Sequence, residues 1–458
     1  MQADSRKIIS ENIVADRSKL KIICVFLHRI YFGRIPYEGQ YRGKKRKAMN
    51  ITELQQSYAS HPNVEGVCRL LKDNSVRHLY CGGLYASAAS LFSSVLVQRA
   101  TCPLVFILGD MEEAGYFYHD LTQILGTEQV LFFPSSFRRA IKYGQKDAAN
   151  EILRTEVLSR LQKGEEGLCV VTYPDALAEK VVSRKELGEN TLKLHAGERV
   201  DMDFVTDVLR SYGFEYVDYV YEPGQYAVRG SIIDVFSFSS EYPFRIDFFG
   251  DEVESIRTFE VETQLSKEKK ESIVIVPDLS HSLEKRGSGG MVSFLDFLPS
   301  DSLLAMRDFL WLRERIQTVH DESLTLQAIA ARESEENGAI TLEGKLIDGG
   351  EFTLRALDFR RMEFGNKPTG TPDATVSFHT TVQPIFHKNF DMVAESFREY
   401  LSRHYTIYIC SDSLKQTDRI RAIFEDRGDN ISFTAVERTL HELSLIHISE
   451  PTRRSYIS

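Results

Sequence analysis

The sequence predicts an α/β protein: a parallel-sheet domain, a small antiparallel α+β domain inserted into it, and a further partial α/β domain. Three observations carry that expectation. Short apolar runs alternate with helical stretches from residue 76 to 182, the spacing of strand–helix–strand units under a parallel sheet. Near residue 191 the texture changes to closely spaced strands separated by Pro-Gly, Gly and Gly-Asp turns. A strand–helix unit then resumes near Asn389.

The elements follow in order. Ile51–Tyr58 reads as a helix, Val76–Cys81 as a strand, and Ala88–Gln98 as the helix after a glycine-containing turn. Leu104–Leu108, Val130–Phe133 and Leu168–Thr172 are apolar enough to be fully buried strands. The helices between them are Met111–Leu125 and a long one near Asn150–Gln162. The small domain opens with a helix, Met202–Tyr212, and continues through strands at Tyr216–Tyr221, Tyr226–Arg229, Ile232–Phe236, Phe244–Phe249 and Ser255–Val261. Residues 264–290, rich in Lys, Glu, Ser and Gly, read as a loop or boundary, and Tyr405–Cys410 is the clearest late strand. The expected partition is therefore a basic leader outside the fold (1–48), the first part of the α/β domain (49–190), the small domain (191–277), the second part of the larger module (278–387), an α/β domain cut short (388–442), and a tail resembling translated vector sequence (443–458).

Composition excludes several classes. The chain has 458 residues, 42% hydrophobic and 27% charged, as soluble globular chains do. It has no apolar run of the roughly 18 residues that a spanning helix needs. Six separated cysteines without a C-x-x-C pair give zinc and redox readings nothing to stand on, and suit a reducing cytoplasm. The net charge is −10, yet residues 1–48 carry 12 Lys/Arg against 4 Asp/Glu. The acidic remainder does not attract nucleic acid broadly. The run Arg42, Lys44, Lys45, Arg46, Lys47 could act as a nucleic-acid arm, or could stand outside the folded protein.

No catalytic constellation emerges: there is no H-E-x-x-H and no G-x-S-x-G. A phosphate-binding loop has the form G-x-x-x-x-G-K-[ST], its backbone amides cradling phosphate and its lysine neutralising it. Here the first strand leads into Gly82-Gly83-Leu84-Tyr85-Ala86-Ser87-Ala88-Ala89-Ser90. The topology fits, but Ala88 and Ala89 stand where Gly-Lys is needed. The loop reads as a degenerate, non-functional P-loop with no metal site behind it.

The informative segment is Y-E-P-G-Q-Y-A-V-R-G-S-I-I-D-V-F (221–236), followed by Y-P-F-R-I-D-F-F-G-D-E (242–252). Side chains alternate faces along a strand. Phe244, Ile246 and Phe248 form an apolar stripe suited to a core, which leaves Arg245, Asp247 and Phe249 on the other face. If the preceding strand pairs with this one, Arg229 joins Arg245 and Phe249. Arginine beside an exposed aromatic is the composition of a protein-binding hot spot. The alternative is that Phe249 packs under a loop and the arginines make surface ion pairs.

These motifs, with E-V-E-S-I-R-T-F and V-E-T-Q-L-S after them, resemble the transcription-repair coupling factor family over about residues 49–442, most specifically over 213–266. In that family the matching part is an N-terminal module similar to the excision-repair helicase UvrB. The resemblance implies a helicase-like domain that has lost its P-loop, and a small domain that binds the damage-recognition ATPase UvrA. The family's contact residues fall on Arg229, Arg245 and Phe249. It further implies a bacterial cytoplasmic protein of transcription-coupled nucleotide excision repair. The RNA polymerase-binding, double-stranded DNA-binding and translocase parts, with their ATP and Mg, are expected to lie beyond this chain, leaving a non-enzymatic adaptor without cofactor or metal. The alternatives are a UvrB-type helicase module, which would need the missing lysine, and an inactive gene fragment.

Overall fold

The computed structural model describes residues 22–26, 49–136, 148–277, 290–333, 345–365, 367–382, 389–438, 440 and 444–446. The basic run at 42–47, Gly287 to Gly289, and residues 447–458 of the expected tail lie outside these. The described residues form two compact units, one within 68–82 and 96–376, the other within 22–67, 83–95 and 377–446.

The first unit holds a seven-stranded sheet. Its order is Ala374–Ser377, His78–Gly82, Arg360–Gly365, Leu303–Met306, Leu104–Ile107, Cys169–Thr172, Val130–Phe133, and the last six run parallel. Strands LVFI, CVVT and LLAM are buried along their whole length, as in a sheet covered on both faces. The covering helix Met111–Leu125 starts where Asp110 accepts the N–H groups of Glu112 and Glu113 and stops at Gly126. It turns Ala114, Phe117, Leu121 and Ile124 inward at helical spacing.

Inserted between Cys169–Thr172 and Leu303–Met306 is a separate six-stranded sheet, mostly antiparallel. Its order is Ser266–Lys270, Glu252–Phe259, Phe244–Phe249, Ile232–Val235, Gln225–Arg229, Glu215–Tyr216. Two-residue turns with glycine first, Gly230-Ser231 and Gly250-Asp251, close two of its hairpins; both glycines take φ near +62°, which fits the right-handed twist of the flanking strands. The inner face carries Tyr226, Ile233, Val235, Phe244, Ile246 and Phe248 against Val205 and Leu209 of the helix Met202–Ser211. Leu194, Ile273 and Ile275 of a two-stranded ribbon complete this core.

Two expectations for this region need correction. Tyr216–Tyr221 is not one strand: pairing stops at Tyr216, and the chain folds so that Val217 and Val220 pack with Ala227, Phe236 and Phe259 in a second small cluster. Nor is 264–290 a loop throughout. Ser266–Lys270 and Ser272–Ile275 are strands, the first a charged edge strand paired to Glu252–Phe259.

In the other unit, Asn389 caps the helix Phe390–Ser402, which lays Val393, Ala394, Phe397 and Tyr400 against Ile407 and Ile409 of the strand Thr406–Cys410. The expectation that residues 1–48 stand outside the fold is corrected over five of them. Ile22–Phe26, an apolar run rich in β-formers, pairs in parallel with Thr406–Cys410. Ser444–Ile446 of the expected tail likewise pairs with Thr380–Val382.

Candidate functional site

The outer face of the antiparallel sheet is set by register. Ala227, Asp234, Arg245 and Arg257 form one row across four strands, and Arg229, Ile232, Asp247 and Ser255 the next. Phe249 pairs with Glu252 one step further out, at the end of its strand beside the Gly250-Asp251 turn. The register shifts between Asp247 and Phe248, with Glu254 of the neighbouring strand unpaired, as in a β-bulge.

On this face the two predicted arginines converge on Asp234, whose side chain has no solvent exposure. Arg245 donates from Nε to Oδ1 and from Nη2 to Oδ2, both at 2.8 Å, a bidentate fork. Arg229 donates from Nη2 to Oδ2 of the same carboxylate. Arg245 is held further by the Gln264 carbonyl, which accepts from Nη1 at 3.1 Å, and by the Phe259 ring 4.5 Å beneath its guanidinium. The bond to Asp234 raises its pKa, so it carries its charge at every working pH. Gln264 sits in the left-handed region at φ 57°, with its amide donating to the Val220 and Val261 carbonyls. Arg229 lies over the Tyr219 ring at 5.0 Å and is about one-third exposed.

Arg257 stands directly opposite Arg245, an unfavourable like-charge pair by itself. Each has its own acid: Asp247 receives Arg257 and, at 2.9 Å, the Ser255 hydroxyl. The face is thus a small net of alternating charge beside one large apolar group. Phe249 is 79% exposed while its neighbour Phe248 is 4% exposed, so one strand residue separates core from solvent. Tyr219, Tyr221 and Leu265 of the same domain are exposed as well.

Sequence reasoning placed Arg229, Arg245 and Phe249 on one face but missed Asp234, which joins the first two. It also missed Tyr219, hidden in a segment read as a strand. The signal for Asp234 was an acid in the run I-I-D-V-F on the arginine side of the alternation. Its burial needed the register.

The Gly82–Ser90 loop has a different character. Gly82 closes its strand, and Gly83 takes φ +76° where a Cβ would lie 1.9 Å from the Phe378 carbonyl oxygen. The Thr380 backbone N–H and hydroxyl both donate to the Gly83 carbonyl, and the Thr380 hydroxyl oxygen accepts from the Tyr85 N–H at 3.0 Å. Ala88 and Ala89 donate their N–H groups to the Tyr85 and Ala86 carbonyls, and Ala88, Ala89 and Ser90 are buried. The N–H groups of Tyr85, Ala88 and Ala89 are therefore engaged within the protein. Among the described residues, no cluster of three or more His, Cys, Asp or Glu side chains could hold a metal ion, and no helix is long and apolar enough to cross a membrane.

Residues 192–281 match the family described as the UvrB interaction domain. The chain is 30% identical to the transcription-repair-coupling factor of Escherichia coli K12 over 198 residues, 43% of this chain and 17% of that protein. It is 31% identical to that of Bacillus subtilis 168 over 196 residues, 43% of this chain and 16% of the relative. With the Staphylococcus aureus RF122 protein it shares 22% identity over 397 residues, 75% of this chain and 34% of the relative. The chain thus spans from about a sixth to a third of the length of these relatives. Residues 192–281 thus match the UvrB interaction domain, and the chain is similar over part of its length to the transcription-repair-coupling factors.

Proposed function

We propose that this chain is an adaptor of transcription-coupled nucleotide excision repair whose antiparallel sheet docks UvrA through Arg229, Arg245 and Phe249. The observation that carries the reading is the outer face of that sheet: two arginines fixed on one buried carboxylate, one step from an aromatic ring that the fold leaves in water. An interface needs such a ring to bury and such donors to fix its orientation. The resemblance to the coupling-factor family is what suggests UvrA as the partner, and the match to a UvrB interaction domain supports that choice.

On this reading the parallel-sheet unit is a helicase-like frame and Gly82–Ser90 a degenerate P-loop. It lacks the lysine, and three of its amides, those of Tyr85, Ala88 and Ala89, are engaged by Thr380 and the first helical turn. The chain by itself recruits UvrA without hydrolysing ATP; polymerase binding and translocation along DNA belong to the remainder of a full-length coupling factor. Isothermal titration of UvrA into the chain tests this. Saturable binding that is strongly weakened but still measurable in Arg229→Ala/Arg245→Ala, with circular dichroism unchanged, is the expected result. A folded parent chain that gives no UvrA heat, or one that binds and hydrolyses MgATP as a UvrB-type helicase would, refutes it.

A further inference from the structure

We propose that Asp234 is a positioning residue of this surface: its buried carboxylate holds Arg229 and Arg245 as one preorganised fork for a carboxylate on UvrA. The inference rests on the docking role proposed above and goes beyond it by assigning the residue that sets the geometry and the partner group that the geometry fits.

The side chain of Asp234 is fully buried and both of its oxygens are occupied by guanidinium groups. A buried ion pair adds little stability over an apolar group of similar volume, because desolvation offsets the Coulombic gain. The neighbours on this face, Ala227, Phe236 and Phe259, show that apolar residues fit there. What an apolar group could not do is fix two long cationic side chains. Arg245 is clamped at four places: twice by Asp234, by the Gln264 carbonyl and by the Phe259 ring. Arg229 is clamped by Asp234 and the Tyr219 ring. Side-chain ordering that association would otherwise require is therefore complete before a partner arrives.

The donors left over define the partner group. A guanidinium has five N–H groups. Arg229 uses one of them and Arg245 three within the described protein. Two positive charges share one negative charge, which leaves the cluster net cationic. A carboxylate matches both the charge and the planar fork.

The test is a double-mutant cycle read by UvrA titration. Asp234→Asn keeps the shape, removes the charge, and turns an amide N–H₂ toward guanidinium donors. It should weaken UvrA binding by about 10- to 100-fold, the scale expected when two rotamer-rich side chains must be ordered on binding. The loss should vanish in an Arg229→Ala/Arg245→Ala background, whereas the loss caused by Phe249→Ala should persist in the Asp234→Asn protein. A folded Asp234→Asn variant that binds as the parent does, while the arginine variant is weakened, overturns the positioning role and leaves the docking reading standing. An Asp234→Asn loss of unchanged size in the arginine-free background overturns it as well. No UvrA binding by the folded parent overturns the docking reading itself. One measurement on the parent chain does not depend on how the variants fold. The Arg245 Nε–H resonance should exchange slowly with solvent in the free protein, and rapid exchange would show that no fork is held.

Discussion

Phe248 and Phe249 are adjacent on one strand and face opposite ways, which separates stability from binding with two substitutions. Phe248 is 4% exposed and packs in the core with Val253 and Ile256. Phe248→Ala should cost about 3–5 kcal/mol of stability, the usual range for deleting a buried ring. Phe249 is 79% exposed, so its removal should change stability by no more than about 0.5 kcal/mol. A phenylalanine presents about 200 Å² of surface, and the exposed share of Phe249 leaves about 160 Å² for a partner to cover. At about 25 cal/mol per Å² the ceiling is about 4 kcal/mol. Partial coverage and the retained Cβ reduce it to about 2–3 kcal/mol, or about 30- to 150-fold in Kd for UvrA. Urea unfolding followed by circular dichroism gives the stability change, and titration calorimetry gives the affinity. A folded Phe249→Ala protein with unchanged UvrA affinity would refute the reasoning, as would a Phe248→Ala protein as stable as the parent.

Three further outcomes are expected. Gly83→Ala should destabilise by about 2 kcal/mol or more in urea melts, because its left-handed backbone and the Phe378 carbonyl oxygen leave a Cβ no room. Asp373 accepts the backbone N–H groups of Arg77 at 2.9 Å and His78 at 2.8 Å, fixing the edge of the parallel sheet, and Asp373→Ala should cost about 1 kcal/mol. Those bonds, the His78 one foremost, lower the pKa of Asp373. Its contribution is therefore present above the unfolded value near about 3.9 and fades as pH falls through the lower folded value, so parent and variant melts should converge in acid. Finally, Tyr219→Ala should weaken UvrA binding by about 3- to 10-fold by releasing one side of Arg229, read by the same titration.

Much of the small domain was legible because its strands alternate cleanly and its glycine turns fix the hairpin lengths. Phe244–Phe249 occupies the expected residues, with Phe244, Ile246 and Phe248 inside. The parallel strands were legible for another reason: runs such as LVFI and CVVT are apolar throughout. What stayed hidden depended on tertiary pairing. Tyr216–Tyr221 alternates like a strand, but its apolar residues are satisfied by Phe236 and Phe259 rather than by a ladder. Ser266–Lys270 has no apolar face and is a strand because Glu252–Phe259 offers it backbone partners. Asp234 reads locally as one more outward polar residue. Its role follows from the register that sets Ala227 and Arg245 on either side of it.

The most direct test of the account places a photo-crosslinking phenylalanine analogue at position 249, with position 354 as control. Leu354 is another exposed apolar residue, at 72%, on the helix Gly349–Asp358 outside the antiparallel sheet. Irradiation with UvrA should give an efficient crosslink from position 249 and none above background from position 354. Equal crosslinking from both positions, or crosslinking from 354 alone, would contradict the claim that this sheet face is where the chain meets UvrA.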